Sequence, residues 1–336
     1  MEESKKISEV SQEDSVTKVG DLGNPFRSDQ LLTRKFTFGP YVFRRTLYED
    51  RRVKIMCGLK SDKGELIAIR IYRRDTSDSQ QASSVHLENA IQSSINHDNI
   101  QRLFEMIHYK NHICLVLQYP SRGTLLDYIS SRKMLKEGTA RRFFRQLLDA
   151  IEYLQFVRVI HHNLNLRTLQ VDKDGNIVMT DFSMAGTFNA KNKPTKAMER
   201  GSNNREFIAL FNLAQADEHG KLRGACLENP ESLLPYTGPE LLKYDDMYTG
   251  PWVDVWSCGI ILYAMLCGSL PFHDDSMNPM GDNIIMLKNY INSTPLTFPS
   301  HVTSSARKLI SAMLEPELRK RIGVRGVQVG PWHRGY

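Results

Sequence analysis

The sequence predicts an α+β protein, and separate stretches of it support that class. From Thr37 onward, PYVFRRTL, RRVKIMCGL and GELIAIRIY are short β-branched and aromatic runs. Turn signals such as Ser61-Asp62-Lys63-Gly64 separate them, which is the pattern of an antiparallel sheet. Thr139 to Tyr153 reads as an amphipathic helix, with Phe143, Leu147 and Ile151 on one stripe and Phe144 and Leu148 beside it. Val255 to Phe272 is apolar almost throughout, but Asp254 abuts one end and Gly259, Gly268 and Pro271 interrupt it. A buried core helix is therefore expected there, not a membrane span.

The 336 residues carry a formal charge of +6, with Arg pairs at Arg44-Arg45, Arg51-Arg52 and Arg73-Arg74. These lack the density and aromatic interleaving of a nucleic-acid footprint, so no nucleic-acid partner is expected. Five cysteines occur without a CxxC pair or a partnering His spacing. That pattern favours neither a disulfide framework nor zinc, and it suits a reducing compartment, cytoplasmic or nuclear. The start, MEESKKISEV, has no apolar core and is not expected to be a signal peptide. Residues 1–37 alternate charges and Ser/Thr with few large apolar groups, so a disordered tail is expected.

The strings that carry chemistry lie further on. His161 to Leu169 reads HHNLNLRTL, and Asp181-Phe182-Ser183 follows it. The first resembles the catalytic loop of protein kinases, and the second resembles their magnesium-binding DFG triplet. Tyr236 to Glu240, YTGPE, is similar to the YAAPE motif, and Asp254 to Gly259 reads DVWSCG as in the family's helix F. Arg321 in RKRIG stands where the family's Arg pairs with the glutamate of that motif, here Glu240. Asn278 to Pro299 resembles a fungal branch of the AMP-activated-kinase-related group associated with mitotic-spindle checkpoints. The resemblance implies a bilobal kinase fold over residues 38–334. Its small β-rich lobe would span 38–118 and its large helical lobe 119–334.

Against that frame the reactive positions depart from the family. Its base, its lysine and its second metal ligand correspond to Asn163, Asn165 and Thr168. A neutral amide has no useful basicity, and general base catalysis is typically worth ~10²–10⁴ in rate. With Ile55 as the family's valine, the phosphate-binding glycines become Tyr48, Asp50 and Val53, where Asp50 is expected to repel phosphate. The strand lysine becomes Arg70 in IAIR, its helix partner Glu88, and the apolar residue one turn later Gln92, which is expected to loosen the helix. The gatekeeper is Leu117 and the hinge Gln118-Tyr119-Pro120, where proline lacks the N–H that adenine accepts. Gln170 lies where an apolar residue usually underlies adenine. Beside the catalytic position His162 replaces an arginine, and no pH role is expected of it.

These departures predict a catalytically inactive, kinase-like signalling scaffold or allosteric regulator, and no enzyme. No cofactor is expected, with ATP and magnesium weak or absent. Residual contacts would come from Arg70, Glu88 and Asp181, and any metal would sit on Asp181. Protein partners, an active kinase among them, are expected, and no membrane. The alternative is an atypical, weakly active ATP-dependent Ser/Thr kinase using Asp181 with one metal. An insertion at 187–230 is expected to carry a helix, REFIALFNLAQADEHG, begun by a capping box of Asn203 and Glu206.

Overall fold

The computed structural model describes residues 37–50, 53–73, 79–109, 112–187, 234–240, 250–272, 284–318 and 320–335. The tail up to residue 36, the insertion from residue 188 with the helix expected in it, Arg51-Arg52 and Arg74 lie outside the described residues. The chain divides into two compact units. One takes the residues up to Asp78 with Leu103–Tyr119, and the other takes Ser79–Arg102 with Pro120 onward.

The first unit is an antiparallel sheet of β1 (Thr37–Phe38), β2 (Tyr41–Glu49), β3 (Val53–Lys60), β4 (Glu65–Arg73), β5 (Leu103–Tyr109) and β6 (His112–Gln118). Its strand order is β1-β2-β3-β4-β6-β5. The turn expected at Ser61 to Gly64 joins β3 to β4, with Gly64 at φ 62° donating its N–H to Lys60 O at 2.8 Å. A positive φ is what glycine tolerates best. Met56, Ile67, Ile69, Ile71, Cys114 and Val116 form a core on one face with Tyr41 and Phe43. Strand alternation then places Ile55, Ala68, Arg70 and Leu117 on the other face, with Ile55 opposite Arg70 and Ala68 opposite Leu117.

The second unit begins with α1 (Ser79–Ser94), then α2 (Leu125–Ser130), α3 (Glu137–Phe156), β7 (Val159–Ile160), β8 (Leu169–Val171) and β9 (Ile177–Met179). A short 3₁₀ turn at Phe182–Met184 leads into β10 (Gly186–Thr187), which pairs with β7, while β8 pairs with β9. Then come α4 (Gly250–Cys267), α5 (Ile284–Ser293), α6 (Ser304–Met313), α7 (Val324–Val329) and α8 (Pro331–Arg334). Residues 79–102 fall inside the segment expected for the small lobe, yet they pack with this unit. Ile91, Ile95 and Ile100 join its core, and α1 rests on the Phe182 turn.

All the apolar residues assigned to the α3 stripe are buried, and α3 packs against α4. From Val253 to Leu266 α4 is buried on every side, which accounts for its apolar character all round. Among the described residues no helix is long and apolar enough to cross a membrane. Gly259 lies inside α4, the buried core helix that was expected here. A Cβ there would lie 2.8 Å from Leu314 Cδ2, so glycine lets the segment after α6 approach closely. Gly268 does end the helix: it sits at φ 78°, and a Cβ would run into Lys133 O.

Candidate active site

A brace of buried charges underlies the loop that follows β7. Asp254 on α4 accepts the backbone N–H of His161 at 2.8 Å through Oδ2 and that of His162 at 3.0 Å through Oδ1. Burial pushes its carboxyl up to about 7, against the pull of those two donors. The expected pair of Glu240 and Arg321 forms and is bidentate, at 2.6 and 2.9 Å. Arg321 also donates to Glu315 O and Trp252 O, and its guanidinium stacks 4.7 Å from the centre of the Trp256 ring. Gly238 is required beside the pair, because a Cβ would lie 2.6 Å from the Glu240 carboxylate.

His161 is fully buried, and its ring meets Phe182 edge-on at 4.7 Å. Its Nδ1 accepts from Asn163 N at 3.2 Å, so Nε2 carries the proton and donates to Thr180 O at 3.0 Å. The half-buried His162 has φ 60° and donates from Nδ1 to Met184 O at 3.2 Å. Burial lowers its pKa, so it is neutral at physiological pH.

The sequence-predicted loop residues come together as one hydrogen-bonded chain. Asn165 Oδ1 accepts from Arg167 N at 2.8 Å and Thr168 N at 3.1 Å, which turns its Nδ2 towards Asn163. That Nδ2 donates to Asn163 O at 3.0 Å and Asn163 Oδ1 at 3.1 Å. Thr168 Oγ1 donates to Asn163 O at 2.7 Å and accepts from Asn165 N at 3.1 Å. With its Oδ1 taken, Asn163 presents Nδ2 to Asp181 Oδ2 at 2.9 Å. Ser183 Oγ donates to the other Asp181 oxygen at 2.8 Å. Sequence reasoning gave Ser183 no role, although its hydroxyl in a DFG-like triplet was the available signal. Asp181 itself adopts a left-handed conformation, φ 67° and ψ 74°, which aspartate tolerates better than most residues.

In the first unit the β2–β3 hairpin gives Asp50 a role beyond its charge. The Asp50 carboxylate accepts from Val53 N at 2.7 Å and from Tyr48 OH at 3.0 Å, so it closes the turn as well as carrying a charge. Its binding of Val53 N–H uses a backbone donor that a glycine-rich loop would offer to phosphate. Lys54, only 1% exposed, pairs across the strands with Glu49 at 2.9 Å. Arg70 is buried and lies 3.5 Å from Tyr72 OH, the limit of a hydrogen bond. Glu88 is buried on α1, in the other unit. Gln92 is also buried, and neither amide atom finds a hydrogen-bond partner among the described residues. Pro120 is buried and Gln170 half-buried.

For a divalent cation the donors fit one ion better than two. Asp181 offers hard carboxylate oxygens, the donor type such an ion takes. Thr168 Oγ1 is committed within the loop. Among the described residues no group of three His, Cys, Asp or Glu could hold a metal by itself. Magnesium commonly binds through one or two carboxylates plus substrate phosphates, and Asp181 meets the lower requirement.

Comparisons with known proteins bear on the enzyme question. The chain is 32% identical over 325 residues to "Serine/threonine-protein kinase KIN4" of Saccharomyces cerevisiae, covering 95% of this chain and 36% of the relative. From the same yeast, "Fatty acyl-CoA synthetase and RNA processing-associated kinase 1" is 31% identical over 320 residues, 92% of this chain and 33% of its own length. "CBL-interacting protein kinase 31" of Oryza sativa subsp. japonica is 31% identical over 300 residues, 89% of this chain and 58% of the relative. The chain thus spans about a third of the yeast relatives and under two thirds of the rice one.

These matches overturn the expectation that the chain is not an enzyme, since relatives at about 30% identity over most of it are named kinases. The physical reason the substitutions do not decide the matter is that phosphoryl transfer rests mainly on positioning and electrostatics, less on a base. The α+β class, and the relation to kinases read from the loop and brace motifs, agree with a family model described as "Protein kinase domain" that matches residues 52–333. The chain belongs to the protein kinase family.

Proposed function

We propose that the chain is an atypical, slow ATP-dependent serine/threonine protein kinase that works with Asp181 and a single magnesium ion. The observation that carries this reading is the placement of Asp181, whose two oxygens are held by Asn163 Nδ2 and Ser183 Oγ. The named serine/threonine kinases among its relatives support the reaction class. Bound magnesium would supply charge neutralisation at the phosphates and orient them. Asp181 would hold the ion. Asn163 cannot take the substrate hydroxyl proton, so the proton leaves with the transferred phosphoryl group or to water. Without a base the rate falls by ~10²–10⁴ from that of an ordinary kinase. Arg70 carries a buried positive charge within the first unit.

Nucleotide affinity is low in this reading. Val53 N–H is already bound to Asp50, and Pro120 has no N–H for adenine. The rice relatives' printed names, "CBL-interacting", support a protein partner for this chain too. Free thiols at the buried Cys57, Cys114 and Cys258 suit the cytoplasm or nucleus.

Radiolabelled phosphate transfer to a peptide mixture, at millimolar ATP with magnesium or manganese, tests the reading. Slow transfer to Ser or Thr that disappears in Asp181→Ala is expected. Transfer no greater than that of a heat-killed control, at every metal tried, overturns it.

A further inference from the structure

Asn163 occupies the position of a base, yet its side chain is engaged with Asp181. Its amide has one possible orientation, because Asn165 Nδ2 donates to Asn163 Oδ1 at 3.1 Å and so directs Asn163 Nδ2 to Asp181 Oδ2 at 2.9 Å. Asn165 is in turn oriented by Arg167 N and Thr168 N. The orientation thus passes from backbone N–H groups through two amides to the carboxylate. The participants Asn163, Asn165 and Thr168 are all buried, each 7% exposed, so water competes poorly for these bonds.

We propose that Asn163 is a positioning residue for Asp181, holding its carboxylate in place before any cation arrives. The inference rests on the single-metal kinase reading. A carboxylate at position 163 would stand within hydrogen-bond distance of Asp181, and two like charges that close cannot both ionise cheaply without a cation between them. Asparagine removes that repulsion and adds a donor. The price is the base. The same arrangement explains why the three loop substitutions belong together: Asn165 orients Asn163, and Thr168 anchors the Asn163 carbonyl at 2.7 Å.

Calorimetry of manganese–ATP binding to the whole chain, with Asn163→Ala, Asp181→Asn and the double variant, tests this as a double-mutant cycle. Asn163→Ala is expected to weaken binding about tenfold or more, the effect of a lost charge-assisted hydrogen bond, and to add nothing in the Asp181→Asn background. An unchanged affinity, or the same loss in both backgrounds, overturns the proposal. If Asn163→Ala does not fold, Asn163→Ser takes its place in the cycle. If the wild type binds no manganese–ATP, the kinase reading fails and positioning is decided without nucleotide, by melting. Asn163→Asp should then melt several degrees below the wild type in EDTA and recover in millimolar manganese, while the wild type is indifferent. An Asn163→Asp protein that melts with the wild type in both conditions overturns it.

Discussion

The brace around α4 and the loop it supports are both buried and polar, but they satisfy burial by opposite means. The brace uses charge: Asp254 under two backbone N–H groups, and Glu240 against Arg321. The loop uses neutral groups, Asn163, Asn165 and Thr168, which consume one another's donors and acceptors. A charged pair is strong only while both partners remain, whereas a neutral network loses less when one member goes. The difference teaches that this chain keeps charge where it holds the large unit together. In the loop that carries Asn163 it uses neutral groups.

Breaking the brace should therefore have the largest effect. Arg321→Met leaves Glu240 buried without its cation and strips donors from Glu315 O and Trp252 O. We expect a loss of about 3–5 kcal/mol in urea unfolding. A loss below about 1 kcal/mol would place the pair among those that contribute nothing net.

Asp254 offers a second break, read through pH. Its folded pKa, about 7, is above the ordinary carboxyl value, so the folded state holds a proton that the unfolded chain releases near pH 4. Stability from this group is fully present below about pH 4 and is lost as pH rises towards 7. The shift corresponds to a few kcal/mol. Asp254→Asn cannot titrate, so its deficit relative to the wild type should shrink between pH 4.5 and pH 7.5. A deficit that grows over that range contradicts the burial effect.

The smallest change sharpens the comparison from the loop side. Thr168→Val keeps the shape but removes the acceptor of Asn165 N and one donor to Asn163 O. About 1–3 kcal/mol should be lost, below the cost at Arg321, because only neutral groups are left unpaired. Equal losses at the two positions would erase the distinction between the regions.

Much of this was legible in the residues. β-branched runs around the Ser61 to Gly64 turn became β3 and β4 because period-two patterning and a left-handed glycine are local properties. The stripe of Phe143, Leu147 and Ile151 placed α3 for the same reason, with ends at Glu137 and Phe156, slightly beyond the expected ones. The partnership of Glu240 with Arg321 was also readable, though only through the family motifs. At Asp50 the charge is visible in the sequence and the hydrogen bond to Val53 N is not. The reason for a glycine at 259 was not legible, since nothing local reveals that Leu314 lies against it.

By itself, then, the sequence determined the class, the strand and helix periodicities, the brace and the identity of the altered loop positions, because each depends on residues close in the chain or on a family motif. Only the tertiary structure decided that α1 joins the helical unit, that Lys54 is buried against Glu49, and that Asn163 points its amide at Asp181. Those outcomes depend on which groups meet when the elements pack. A side chain's chemistry limits its partners, but burial selects among them, since an unpaired polar group inside the fold is costly.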